Sequence, residues 1–217
     1  MTGSQSVEIA VVVATALAVA ALLVAERRGS SGVVWVAKPL ASTGFLALAL
    51  VRGAAGSGYG RWVLAALALG WLGDVLLIPK QSRRAFLAGL ASFLLGHVAY
   101  AVAFLLRGVD PEASAVATAL VAVPSLTVLR WLWPFVPDRL RVPVVAYVGV
   151  ISLMVACALG VAEFRAQTSI ALGALAFYAS DLAVARQRFV AESFTNKLWG
   201  LPLYYGAQLL LASTAGG

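Results

Sequence analysis

Charge is scarce in this chain: only 12% of its 217 residues are Asp, Glu, Lys or Arg. Soluble domains carry about 25%, so the sequence lacks the polar surface that a water-exposed fold needs. Cysteine and histidine are scarcer still, at one residue each, Cys157 and His97. A lone cysteine excludes an internal disulfide. One histidine and one cysteine also leave no cluster for zinc, whose sites take roughly three or four such ligands. Long polar stretches are missing too, so no connection can hold a soluble domain. Neither a metal nor a cofactor is expected.

What is present is apolar. Hydrophobic residues make up 62% of the chain, and the mean hydropathy is +0.93. A bilayer asks for this composition. The net charge of +7 would suggest nucleic acid in a soluble protein; here the basic residues sit between apolar runs and act as topology determinants, so no nucleic-acid partner is expected. With about 20 residues needed per crossing, the apolar stretches predict an all-α bundle of about eight transmembrane helices in a single membrane domain. The expected spans are 7–25, 33–51, 61–78, 85–106, 113–132, 142–161, 167–185 and 198–213. The first run ends in Glu26-Arg27-Arg28 and has no basic region before Val7, so it reads as a retained helix rather than a signal peptide.

Basic residues set the expected orientation. Arg27, Arg28, Lys80, Arg83, Arg84, Arg130, Arg139, Arg141, Arg186, Arg188 and Lys197 fall in the odd connections. Arg52, Arg61, Arg107 and Arg165 fall in the even ones. The positive-inside rule then makes the odd connections cytoplasmic and puts both termini outside, in a bacterial inner or cell membrane. Trp62, Trp131, Trp133 and Trp199 fall near span ends, where an interfacial belt is expected.

Four ionisable groups lie within the spans: Lys38, Asp74, His97 and Asp181. Each costs roughly 2.5–3.5 kcal/mol at a helix centre, which makes it a functional candidate. Lys38, Asp74 and Asp181 are all expected about one turn inside the cytoplasmic boundary, at one depth. Lys38, so near the boundary, has a simpler alternative in snorkelling to the headgroups. Tyr100 follows His97 at i+3, Tyr204 and Gln208 share a face at i+4, and Tyr147 and Tyr205 add further polar groups. Most other acids, Glu26, Asp110, Glu112, Asp138, Glu163 and Glu192, are assigned to connections or span ends. The expected picture is a polar pocket opening toward the cytoplasmic leaflet. Asp74 to Asp181 and His97 to Tyr204 share one sequence offset. Two parallel four-helix repeats would produce this, and chance alignment of apolar helices gives it as easily.

Taken in order, Lys38-Pro39, Gly73-Asp74 with Leu76-Leu77, and Phe93-Leu94-Leu95-Gly96-His97 with Tyr100 resemble the successive motifs of the YhhN family. The same holds for Tyr147 with Met154, Phe177 with Ser180-Asp181, and Tyr204-Tyr205 with Gln208. The resemblance covers spans two to eight; span one has no matching motif, and Ala183 to Phe189 match only in general character. That family includes the lysoplasmalogenases. The resemblance therefore implies an ether hydrolase acting on a lysophospholipid in the bilayer, cleaving a vinyl ether to a fatty aldehyde and a glycerophospho-base. The chemistry needs a general acid, an anion beside an oxocarbenium ion and a positioned water, much as glycoside hydrolysis does. Burial favours a neutral acid, and a neighbouring cation favours a carboxylate. Asp74 and Asp181 are the expected acid/base pair, with their roles open, and His97 or a tyrosine is expected to orient water or the leaving oxygen. Lys38 is expected beside a carboxylate or a substrate phosphate. Tyr100, Tyr147, Ser180, Tyr204, Tyr205 and Gln208 are the expected substrate-contacting residues. The polar groups alone also fit a small proton-coupled transporter, or a non-catalytic lipid-binding protein whose helices they lock together.

Overall fold

A computed structural model describes residues 3–162 and 164–216. Glu163 and the Arg165 side chain, both assigned to the sixth connection, lie outside the described residues. Eight α-helices are found among those residues: α1 (Gly3–Arg28), α2 (Ser31–Val51), α3 (Gly58–Leu76), α4 (Arg83–Arg107), α5 (Pro111–Leu132), α6 (Asp138–Leu159), α7 (Phe164–Ala185) and α8 (Phe194–Ser213). The fold is a polytopic membrane helical bundle. Six helices are long and apolar enough to cross a membrane by length and composition, and α3 and α8 fall short of that measure. Part of the reason lies in the polar groups those two bury, Asp74 on α3 and Asn196, Tyr204, Tyr205 and Gln208 on α8; Arg61 and Lys197 lower their hydropathy further.

Local chemistry sets the helix ends. The side chains of Ser57, Ser82 and Asp110 accept backbone N–H bonds from Gly60, Ala85 and Ala113, capping α3, α4 and α5, and so satisfy donors that a helix start leaves unpaired. Gly108 closes α4 at φ +95°, a conformation that only a residue without Cβ adopts cheaply. α7 does not stop at its basic residues. A π-turn at Arg186–Val190 continues it toward α8.

Consecutive helices pack as the hairpins α1/α2, α3/α4, α5/α6 and α7/α8, and α2/α3 and α6/α7 also touch. The halves join where α4 meets α6 and where α2 meets α8, two contacts that interchange when each helix of the first half is exchanged for its counterpart in the second. α8 also packs against α1 and α3, which the exchange does not reproduce. Large apolar side chains such as Leu17 on α1, Leu120 and Val123 on α5 and Val142 on α6 are about two-thirds exposed or more. Such a surface suits lipid and would be an aggregation liability in water.

Candidate active site

The first carboxylate, Asp74, sits in the last turn of α3 and is 3% exposed. Both of its oxygens are engaged. Lys38 of α2 approaches Oδ1 at 3.1 Å and donates a second bond to the Asp74 carbonyl at 3.1 Å. Ser42, one turn further along α2, donates to Oδ2 at 2.6 Å, and the Tyr204 hydroxyl of α8 donates to the same oxygen at 2.8 Å. Behind them the Tyr205 and Ser42 hydroxyls lie 3.2 Å apart. Gln208 donates to Tyr204 at 3.2 Å, and Tyr100 donates to Gln208 at 2.7 Å. Lys38 is therefore an ion-pair partner and does not snorkel. Charge and hydrogen bonds together make such burial tolerable, since an unpaired charge there would cost several kcal/mol.

The second carboxylate, Asp181 on α7, is held differently. The Tyr147 hydroxyl of α6 donates to its Oδ2 at 2.8 Å, and His97 Nε2 of α4 lies 3.1 Å from the same oxygen and 3.0 Å from the tyrosine oxygen. His97 is fully buried, and its Nδ1 has no hydrogen-bond partner. A ring proton on Nδ1 would be stranded, whereas one on Nε2 meets two acceptors, so the bonding assigns the proton to Nε2. The His97 ring is braced by Phe177, with centroids 4.6 Å apart. Asp181 Oδ1 has no hydrogen-bond partner among the described residues, and the side chain keeps 17% of its exposure.

Both carboxylates line one cavity of about 510 Å³, together with Lys38, Tyr147, Tyr178, Ser180 and Tyr204. Such a volume is ordinary for a small-molecule site. One part of the wall is apolar, built from Val128 and Leu132 of α5 and Val144, Val148 and Ile151 of α6. The end bearing the odd connections carries Glu26, Lys80, Arg188, Glu192 and Lys197. The cavity thus combines a charged mouth, two carboxylates and a hydrocarbon wall.

The candidate residues thus divide into two groups. Lys38, Asp74, Tyr147, Ser180, Asp181 and Tyr204 line the cavity, whereas His97, Tyr100, Tyr205 and Gln208 are not among its lining residues and act on it through bonded neighbours. The Ser180 hydroxyl is turned back onto the Phe177 carbonyl at 2.7 Å. Asp74 lies near the end of α3, whereas α7 continues past Asp181 to Ala185 and then into the π-turn at Arg186–Val190. Sequence reasoning missed Ser42, whose signal was its i+4 spacing from Lys38. It also set Glu26 and Glu192 aside as connection or span-end acids, though both line the cavity.

The repeat offset acquires physical content here. Asp74 takes donors from α2 and α8, and Asp181 from the counterparts α6 and α4. Tyr204 and His97 are each other's equivalents under that offset, and each serves the carboxylate of the opposite half.

Fold and site together define the class, an integral membrane helical protein with one buried and one partly buried carboxylate facing an amphipathic cavity. The chain belongs to the YhhN family, whose model matches residues 33–215, so the resemblance carried by the motifs holds, and α1 falls outside the match. Proteins of Mycobacterium bovis and Mycobacterium tuberculosis, each named lysoplasmalogenase, are 35% identical over 162 residues, 72% of this chain and 60% of theirs. A Sus scrofa protein named lysoplasmalogenase TMEM86B is 32% identical over 158 residues, 73% of this chain and 65% of its own. The chain thus spans somewhat under two-thirds of the length of these curated relatives. No solved structure matches it significantly.

Proposed function

We propose that this chain is a lysoplasmalogenase, one membrane domain that hydrolyses the vinyl ether of a single-chain phospholipid. The observation that carries the reading is the unequal bonding of two carboxylates on one cavity. Asp74 has both oxygens occupied by fixed partners, which suits an anion held in place. Asp181 keeps Oδ1 unbonded beside the cavity, which suits a group that exchanges a proton. The names of the mycobacterial and porcine relatives support the same activity.

In this reading the Asp181 carboxyl gives its proton to the β-carbon of the vinyl ether, and the double-bond electrons form the new C–H bond. The resulting oxocarbenium ion is stabilised by the fixed Asp74 carboxylate, an electrostatic contribution that grows in a dry site. Water adds to the α-carbon and returns a proton to Asp181. The hemiacetal then breaks its C–O bond to glycerol, its hydroxyl proton passing to the departing oxygen, and leaves aldehyde and alcohol. Tyr147 and His97 hold Asp181 Oδ2, directing Oδ1 to the substrate. By the positive-inside rule the mouth faces the cytoplasmic leaflet and both termini lie outside.

The test is direct. Purified protein in detergent is incubated with a choline or ethanolamine lysoplasmalogen and the aldehyde is measured. Release by the native protein and its loss in folded Asp181→Asn supports the reading; full activity in both Asp181→Asn and Asp74→Asn sinks it.

A further inference from the structure

The mouth of the cavity holds a charged cluster separate from the two acids. Glu26 Oε2, at the end of α1, lies 2.9 Å from Lys80 Nζ of the α3–α4 connection and 2.6 Å from Lys197 Nζ of α8. Three elements far apart in sequence thus converge on a single oxygen. Burial opposes the Lys80 charge, but its bond to Glu26 together with the nearby charges of Glu26 and Glu192 raises the ammonium above the usual lysine value. Two ammoniums around one oxygen form an anion site, here filled by a carboxylate of the chain itself. Two positive charges and one negative leave the trio positive, and the Arg188 and Glu192 that line the same mouth offset one another.

Lys38 cannot fill this role, since Asp74 already takes its ammonium twice. Spacing favours the mouth instead. Lys197 and Tyr204 lie on one helix, separated by about 10 Å of rise, and Tyr204 bonds Asp74. A glycerol spacer of ordinary single bonds, about 1.5 Å each, covers most of that rise. A phosphate at the mouth therefore sets the sn-1 ether near the acids.

We propose that Lys80 and Lys197 form the phosphate subsite of this cavity. It takes the phosphodiester monoanion of a single-chain lipid, which displaces the Glu26 carboxylate from between the two ammoniums. The proposal rests on the lysolipid reading of the cavity and names how that site selects its headgroup.

The experiment uses a saturated 1-O-alkyl lysophosphocholine, which has no vinyl ether to break, and the matching 1-O-alkylglycerol, which has no phosphate. Binding to the full chain in detergent is measured for both. The native protein is expected to prefer the phosphate-bearing lipid by about tenfold, the scale of a charge-assisted bond. Lys80→Gln and Lys197→Gln together should remove that preference, leave alkylglycerol binding unchanged, and be rescued by the Lys80→Arg, Lys197→Arg pair. Glu26→Gln should tighten lysophosphocholine binding, because it removes the internal competitor.

No preference in the native protein, or a preference kept by the double glutamine variant, overturns the subsite. Weaker binding by Glu26→Gln overturns the displacement. Displacement of the lipid by an equal concentration of inorganic phosphate would make this a free-phosphate site and overturn the lipid assignment. Since nothing is hydrolysed in these arms, they are read independently of the aldehyde assay.

Discussion

Tyr204 reaches from the second half of the chain to donate a 2.8 Å hydrogen bond to Asp74 in the first. Its ring packs edge-on against Phe45, Phe93 and Phe177, so the hydroxyl can be removed without disturbing the packing. Tyr204→Phe should cost about 1–3 kcal/mol, the usual loss when a buried charged acceptor gives up a donor. Thermal melts and turnover measured together test this: a melt unchanged from native would show that the bond carries no weight.

Asp74 and Asp181 should respond differently to the same substitution. Asp74→Asn leaves the Lys38 ammonium buried without its counter-charge, a loss of about 3–5 kcal/mol. Adding Lys38→Met in that background should restore much of the stability without restoring turnover. Asp181→Asn strands no cation and should melt closer to the native protein. Equal destabilisation by both would contradict the assignment of the ion pair.

In the proposed reaction His97 is a positioning residue. His97→Gln places an amide N–H near the Nε2 position and should retain part of the turnover, whereas His97→Phe should lose it. The split to look for is a falling kcat with little change in KM, because the ring lies behind the cavity wall. A mainly KM effect would mean that the ring shapes lipid binding instead.

Gly70 is a packing requirement of the site. A Cβ there would lie 2.6 Å from Gln208 Nε2 and 3.2 Å from the Tyr204 hydroxyl. Gly70→Ala should therefore lower turnover even though alanine favours the helix by about 1 kcal/mol. Native-like activity in this variant would show that the Tyr100–Gln208–Tyr204 relay can shift freely.

The membrane bundle could be read from the sequence because apolar runs of bilayer length have few other uses. Lys38 and Asp74 could be singled out because charge inside such runs is costly, and the structure pairs them. How far the helix runs beyond Asp181 could not be read. Arg186 and Arg188 look like a boundary, yet a π-turn carries the helix through them. Ser42 escaped notice because a serine in a membrane helix usually bonds its own backbone, and this one does so to Lys38 at 3.0 Å while also reaching Asp74. Glu26 looked like a solvated end residue; only the approach of α8 and the α3–α4 connection brings the two lysines to it.

The exchange of donors between the halves has a consequence for how such a chain can vary. Two separate copies of a four-helix unit, packed the same way, would carry identical acids in identical surroundings, and any substitution would strike both at once. A single chain is free of that constraint. Here one acid has a lysine and a serine, the other a histidine and a tyrosine, and each is steadied from across the seam. Covalent linkage thus lets the two acids sit in different surroundings while neither half forms its own site alone.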